Sequence, residues 1–353
     1  SIKSRAPSVD IIFGPQTIHR IPKMIKELSL LDVKTAVDVS FPEIEKFDYL
    51  PTSDKKAPSA YLSIMEGCSK YCTFCVVPYT RGEEFNRRFD DIINEAMQLS
   101  AQGAREIVLL GQNVNAYKSN DYDGNPVGLS DLIRYISHID GIDRIRYTTS
   151  HPIDFSQDLI SEYKNPKLAN NLHLPIQSGS DLILSKMKRK HTVLEYKSII
   201  RKVREIRPDI HLSSDFIVGY PGESNYEFQK TLDFISELNF SDAYSFIYSP
   251  RPGTPAAQEF DSLSDKVKSD RLKELKDLIK NQSLSYSEKM VGKTERVLVE
   301  GVSLKRSTEV FGRTDNNKVI NFSGDRELIS KFVDVRIDEM RTNTLHGTYL
   351  NIS

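Results

Sequence analysis

The chemistry this sequence offers most openly is that of three thiols. Cys68, Cys72 and Cys75 lie in the run GCSKYCTFCVVPYTRG, residues 67–82, and are the only cysteines in 353 residues. Thiolates are metal ligands, and the spacing Cys-x3-Cys-x2-Cys in a polar loop points to a shared metal centre. Structural zinc wants four nitrogen or sulfur ligands. No fourth cysteine exists, and no histidine lies between Cys75 and His138. A cubane of four irons is normally held by four thiolates, so three would leave one iron open. An incompletely ligated metal is the mark of a catalytic site. Three structural cysteines acting as small hydrophobes are the alternative.

The elements that must position this loop are legible as an alternation. AYLSIME, REIVLLGQN, RIRYTTS, NLHLPIQ, LSSDFIVGYP and AYSFIYSP are apolar, strand-like runs between Ser59 and Pro250. Between them lie amphipathic stretches such as DDIINEAMQLSAQG and VLEYKSIIRKVREIR. In the latter, Val193, Ile199, Ile200, Val203 and Ile206 recur at helical spacing. Strands alternating with helices imply a parallel sheet with crossover connections. Six such units would close part of a barrel, short of the eight of a full one.

Residues 264–290 read as a charged amphipathic helix with Leu272, Leu275 and Ile279 as its apolar stripe, bridging two domains. Beyond it, TERVLVEGVS, TEVFGRTD, KVINFSG, FVDVRIDEM and HGTYLNIS are five short strands, which suit a small antiparallel OB-like barrel. At the front, IHRIPKMIKELSLL reads as a helix and FPEIEKFDYLP as a linker.

Composition narrows the class. Hydrophobic residues at 39% and charged residues at 27% describe a globular protein, and 353 residues suggest about two domains. No apolar run approaches the roughly 20 residues of a spanning helix, so no membrane is implied. A net charge of −1 argues against coating nucleic acid by bulk electrostatics. Three clustered cysteines make no disulfide framework, and a reducing cytoplasm suits them.

The thiol spacing after the first strand of a six-unit α/β barrel resembles the radical S-adenosylmethionine (SAM) superfamily. Further along, CSKYCTFCVVPYTRGEE, LLGQNVNAY, TTSHPID, LHLPIQSGSD, MKRKHT, DFIVGYPGES and YSPRPGTPA resemble, in this order, the methylthiotransferase family. The nearest branch is the one that modifies tRNA. The resemblance implies a partial (βα)6 barrel at 56–286 and a TRAM RNA-binding domain at 287–353. It implies that residues 1–55 are the end of an N-terminal methylthiotransferase domain plus linker. The implied activity places a methylthio group on C2 of N6-isopentenyladenosine, the tRNA base beside the anticodon at position 37.

The resemblance also implies roles. Cys68, Cys72 and Cys75 would bind a [4Fe-4S] cluster whose open iron takes the amino and carboxylate groups of SAM, and one electron would cleave the sulfonium to a 5′-deoxyadenosyl radical. Gln112 and Asn113 would meet the SAM amino group; Gln177, Ser178 and Arg189 its ribose and carboxylate. Ser214 and Asp215, with Gly219 and Gly222, would meet adenine and ribose. His151 reads instead as a hydrogen-bonded core histidine. The partners implied are tRNA, a reductant protein and a sulfur donor. The basic run Lys197, Arg201, Lys202, Arg204 and Arg207 suits either a solvated face or RNA phosphates. In the tail, Phe311, Arg313, Phe322 and Arg336 are candidates for stacking and cationic contacts.

One departure matters. Family members carry three more cysteines, which hold an auxiliary cluster that supplies sulfur, and this chain has none of them. The expectation is a chain cut at its front, able to bind and cleave SAM but not to transfer sulfur. Two rivals stand beside the tRNA reading: a sister enzyme that methylthiolates an aspartate of a ribosomal protein, and a non-catalytic RNA-binding protein with a structural metal.

Overall fold

The computed structural model describes residues 2–30, 34–40, 57–342 and 344–353. Among these, the alternation becomes six parallel strands: β1 (Ser59–Ser63), β2 (Glu106–Leu110), β3 (Arg144–Tyr147), β4 (Asn171–His173), β5 (His211–Val218) and β6 (Asp242–Ile247). They form two three-stranded sheets, β1-β2-β3 and β4-β5-β6, and an isolated bridge from Ile145 to Leu168 connects the first sheet to the approach of the second. Alternate side chains point to opposite faces. Leu62, Ile107, Leu109, Ile145, Leu172, Leu212 and Phe216 are buried on one face. They share a core with Ile92 and Ala96 of α1 (Phe89–Ala101), Leu132 and Ile136 of α2 (Leu129–Ser137), and residues of the helices that follow. Each such side chain stabilises the fold by about 1.5–3 kcal/mol.

After the short helices α3 (Gln157–Glu162) and α4 (Asp181–Lys186), α5 (Val193–Ile206) starts on a capping box, Thr192 with Glu195. It buries Tyr196, Ile200 and Val203. Its basic residues are largely engaged within the chain. Lys197 pairs with Glu237 at 2.5 Å, Arg204 donates to Leu238 O at 2.6 Å, and Arg207 donates to Tyr163 O and Asn165 O, both at 2.6 Å. The face read as a candidate for RNA phosphates thus spends most of its cations on the protein itself.

Helix α6 (Asn225–Leu238) leads into β6, and α7 (Asp265–Glu288) realises the charged helix, with Leu275 and Ile279 buried. The tail is a closed barrel of β7 (Thr294–Val302), β8 (Glu309–Thr314), β9 (Val319–Ser323), β10 (Phe332–Met340) and β11 (Leu345–Ile352), in the order β7-β8-β9-β11-β10. The β9–β11 pair is parallel and the rest are antiparallel. Its core, around Val297, Val299, Ile320, Val333 and Ile337, is separate from that of the first barrel. Phe322 belongs to this core and is fully buried. It cannot offer a stacking face to RNA, because it falls on the inward register of β9.

The two barrels are fastened by buried charge. Register places Ser59 opposite Glu106, and Glu106 opposite Arg144. Glu106 accepts from Arg144 and, at 2.8 Å, from Arg146. Arg144 donates to Arg313 O at 3.0 Å and Asp315 Oδ1 at 2.9 Å, and Arg146 to Thr314 O at 2.6 Å and Asp315 O at 2.9 Å.

At the front, Ile11–Phe13 pairs in parallel with Ala36–Asp38. The helix expected from Ile18 begins at Ile21, after a 3-10 turn whose Pro15 opens it. The expected linker FPEIEKFDYLP lies outside the described residues. No helix among the described residues is long and apolar enough to cross a membrane.

Candidate metal centre

The cysteine loop follows β1 at the C-terminal end of the barrel strands, where α/β folds gather their sites. Gly67 donates its amide to Gln112 Oε1 at 2.7 Å, and Cys68 donates to Gly82 O at 3.1 Å. Further along, Thr73 N–H donates to Met187 O at 3.1 Å and its hydroxyl to Lys186 O at 2.9 Å. The hydroxyl also lies 2.8 Å from Tyr220 Oη, and Ala256 N–H donates to Thr73 O at 3.0 Å. The ends of β2 and β5, the C-terminal end of α4 and the turn after β6 therefore hold one loop. Cys72 is buried within it, and Cys68 and Cys75 are half-buried.

Burial pushes the Cys68 thiol up to about 11 and raises that of Cys75 as well. Thiolates at these positions need positive charge beside them, which a metal centre provides. Two side chains already lean on Cys72. Arg189 Nη1 lies 3.5 Å from its sulfur, while Nη2 donates to Pro175 O. His151 Nδ1 accepts from Ile153 N at 3.2 Å, which leaves the proton on Nε2, 4.0 Å from the same sulfur. His151 is thus the core histidine expected, and also a neighbour of the metal loop. Its position after β3 was the signal available.

Among the described residues, no three His, Cys, Asp or Glu side chains converge on a point that would hold a single ion. An all-thiolate donor set on one loop suits an iron–sulfur cluster, whose irons are spread over several ångströms.

Asn113 is buried at the end of β2. Its Nδ2 donates to Asp154 Oδ2 at 2.8 Å, and Lys70 of the cysteine loop binds the same carboxylate at 2.8 Å. Asn113 Oδ1 has no partner, and neither has Arg189 Nε. These orphaned groups, an acceptor and a cationic donor, flank the thiols and match an ammonium and a carboxylate. Gln112 has its oxygen on Gly67.

Gln177 adopts φ +83 and bridges to Phe216, its amide donating to Asp215 O at 2.9 Å. Ser178 is buried against Thr231 Oγ1 at 3.4 Å. Ser214 Oγ accepts from Ile176 N and donates to Leu174 O, both at 3.0 Å. Asp215 faces His173 at 3.5 Å. Gly219 and Gly222 have φ +70 and +84, and a Cβ there would strike the Lys268 side chain and Lys186 Nζ. The turn itself requires glycine. The structure thus gathers Cys68, Cys72, Cys75, Gln112, Asn113 and Arg189 around one loop, while the Ser178 and Ser214 hydroxyls are engaged within the fold.

Comparison with known proteins shows the family. A model of the radical SAM superfamily matches residues 62–235, and one of the TRAM domain matches residues 288–350. The tRNA-2-methylthio-N(6)-dimethylallyladenosine synthase of Yersinia pseudotuberculosis is 56% identical over 350 residues, covering 99% of this chain and 74% of that protein. The synthase of the same name from Photorhabdus laumondii is 57% identical over 347 residues, covering 98% and 73%. Among solved structures, the coproporphyrinogen III oxidase of Escherichia coli aligns with 85% of this chain and 74% of that one at 14% identity and a TM-score of 0.47.

Fold and site together define a radical SAM enzyme with a TRAM domain appended. More narrowly, the chain belongs to the tRNA-2-methylthio-N(6)-dimethylallyladenosine synthases, a family of transferases. Neither the ribosomal-protein sister enzyme nor a non-catalytic metal protein is favoured by these matches.

Proposed function

We propose that this chain acts in the 2-methylthiolation of N6-isopentenyladenosine in tRNA. The observation that carries it is the trio of thiols at the barrel mouth, flanked by the orphaned Asn113 Oδ1 and Arg189 Nε. Cys68, Cys72 and Cys75 would hold a [4Fe-4S] cluster with one iron left for SAM. When bound, the pair supplies reductive cleavage of the sulfonium and a 5′-deoxyadenosyl radical. Asn113 Oδ1 would accept from the SAM ammonium, and Arg189 would grip its carboxylate by a charge-assisted bond. Asp215, with the turns at Gln177 and at Gly219–Gly222, would meet ribose and adenine. Gln112, Ser178 and Ser214 would shape this lining from behind.

The domain division we propose is 56–286 for the catalytic barrel and 287–353 for the TRAM barrel, in keeping with two separate cores. The partner is tRNA; a reductant protein must deliver the electron and a sulfur donor the sulfur. A reducing cytoplasm is the compartment that suits such a centre. With no cysteine beyond these three, an auxiliary cluster would need ligands that these 353 residues do not contain. Anaerobic reconstitution is expected to give about four irons per chain, with SAM cleaved to methionine and 5′-deoxyadenosine under a strong reductant and no sulfur transferred. Clearly more irons per chain, or no cleavage, would contradict this assignment.

A further inference from the structure

A side-chain amide has two ends, an oxygen that accepts and a nitrogen that donates, and only the oxygen can meet an ammonium. Which end of Asn113 is offered is decided by its neighbours. Its Nδ2 faces two carboxylates, Asp154 Oδ2 at 2.8 Å and Glu84 Oε1 at 3.4 Å. Turned over, the buried amide would set its oxygen against both carboxylates and take its N–H donors away from them. The orientation that satisfies the nitrogen leaves Oδ1 as the end without a partner.

Asp154 makes the shorter of these two contacts, and it is itself held in place. Lys70, which lies between Cys68 and Cys72, pairs with the same Oδ2 at 2.8 Å. The Asp154 amide donates to His151 O at 3.1 Å. The His151 main chain is in turn clasped by Asn115, which donates to its carbonyl at 2.8 Å and accepts from its N–H at 2.9 Å. Asn115 stands two residues beyond Asn113. The runs QNVN and SHPID are therefore knitted together, with the carboxylate at the end of one set against the buried amide of the other. An acceptor turned in advance spares a ligand the cost of ordering it.

We propose that Asp154 is a positioning residue for the cofactor. It turns the Asn113 amide so that the oxygen faces the SAM ammonium, and through Lys70 it ties that amide to the cysteine loop. The proposal rests on the SAM reading above and adds to it a residue that touches neither SAM nor the cluster, in the way that outer partners orient the ligands of a metal site.

The test is calorimetric titration of the anaerobically reconstituted chain with two ligands. One is SAM; the other is 5′-methylthioadenosine, which has the adenosine but neither the amino nor the carboxylate group. D154L and D154A both remove the acceptor, one filling its place and one leaving it empty. Each should weaken SAM binding about 10-fold or more while leaving methylthioadenosine affinity and iron per folded chain unchanged. D154N should recover most of the loss, because a single oxygen at the Oδ2 position serves both Lys70 and Asn113. In an N113A background, D154L should add less than about 2-fold, since a residue acting through another has nothing left to orient.

Unchanged SAM affinity in D154L and D154A would overturn the proposal alone. So would equal losses for both ligands, or a parallel fall in iron content, because Asp154 would then only prop the loop. A D154N variant as weak as D154L, or losses that multiply with N113A, would also overturn it, since the carboxylate would then meet the ammonium itself. A wild-type chain that holds its irons but binds no SAM would remove the parent reading, and this one with it.

Discussion

At the C-terminal end of the barrel strands, buried polar groups are left waiting: Asn113 Oδ1 and Arg189 Nε have no partner, and burial raises two of the three thiols. At the N-terminal end, Glu106 binds Arg144, Arg146 and Ser59, and the guanidinium groups reach across to the TRAM turn. Both ends bury charge in one barrel. Unmet buried atoms, each costing about 1–3 kcal/mol, occur at both ends, with Arg144 Nη2 and both His211 ring nitrogens among them at the N-terminal end. The difference lies in the charges: at the N-terminal end a buried carboxylate is matched to two guanidinium groups, as expected of a joint, whereas the cysteine loop holds thiols that burial keeps protonated, as expected if it awaits a ligand.

Substitutions at the two ends should fail in different ways. C72A is expected to lose the cluster, with the brown absorption gone and SAM cleavage down by more than about 1,000-fold, yet with a melting temperature close to that of the apo wild type. E106Q should do the opposite. It leaves two buried guanidinium groups undercompensated and should cost about 3–5 kcal/mol in urea unfolding, while cluster content per folded chain is unchanged. Loss of cluster in E106Q without loss of stability would erase the contrast.

Smaller changes sharpen it within the cysteine end. R189M keeps the packing of the stem and should weaken SAM binding to the reconstituted chain about 10- to 100-fold by calorimetry. S214A should leave that affinity alone and lower stability by about 1–2 kcal/mol, since the Ile176 amide loses its acceptor. If S214A instead loses affinity and keeps its stability, Ser214 belongs to the cofactor site.

The smallest effect lies in the joint and depends on pH. Burial, with Asp315 second, pushes Glu295 up to about 7. The folded chain then holds a proton that an unfolded chain, with a carboxyl near the ordinary value of about 4.3, has released. This contribution to stability is complete below about pH 4 and is lost as pH rises toward 7. E295Q should flatten that stretch of the stability profile and be more stable than wild type above pH 7. A wild-type profile that rises with pH across this window because of Glu295 would contradict the sign.

Much of this was open to reading in the chain. Cys68, Cys72 and Cys75 stand out because their signal is local, and the six strands because alternation and length are local too. The tail's five strands were equally plain, although the parallel β9–β11 pair was not, since pairing is decided by closure of the barrel. What the sequence hides is set by distance along the chain. RIRY looks like a basic strand, but the Glu106 that neutralises it lies 38 residues away from Arg144 and the turn it grips lies 171 away. Phe322 looked available for stacking until the register of β9 turned it inward. Lys197, Arg204 and Arg207 looked free until folding supplied Glu237 and main-chain carbonyls. Orphaned atoms such as Asn113 Oδ1 are invisible before folding, since being without a partner is a property of surroundings.

The central claim is that three thiolates leave one iron for SAM. Electron–nuclear double resonance on the reduced, anaerobically reconstituted chain, with SAM labelled by nitrogen-15 at its amino group, tests it most directly. A strong coupling from the label to the cluster spin is predicted. A cluster that shows no coupling to SAM, and instead carries a nitrogen or oxygen ligand from the protein at its fourth iron, would contradict it.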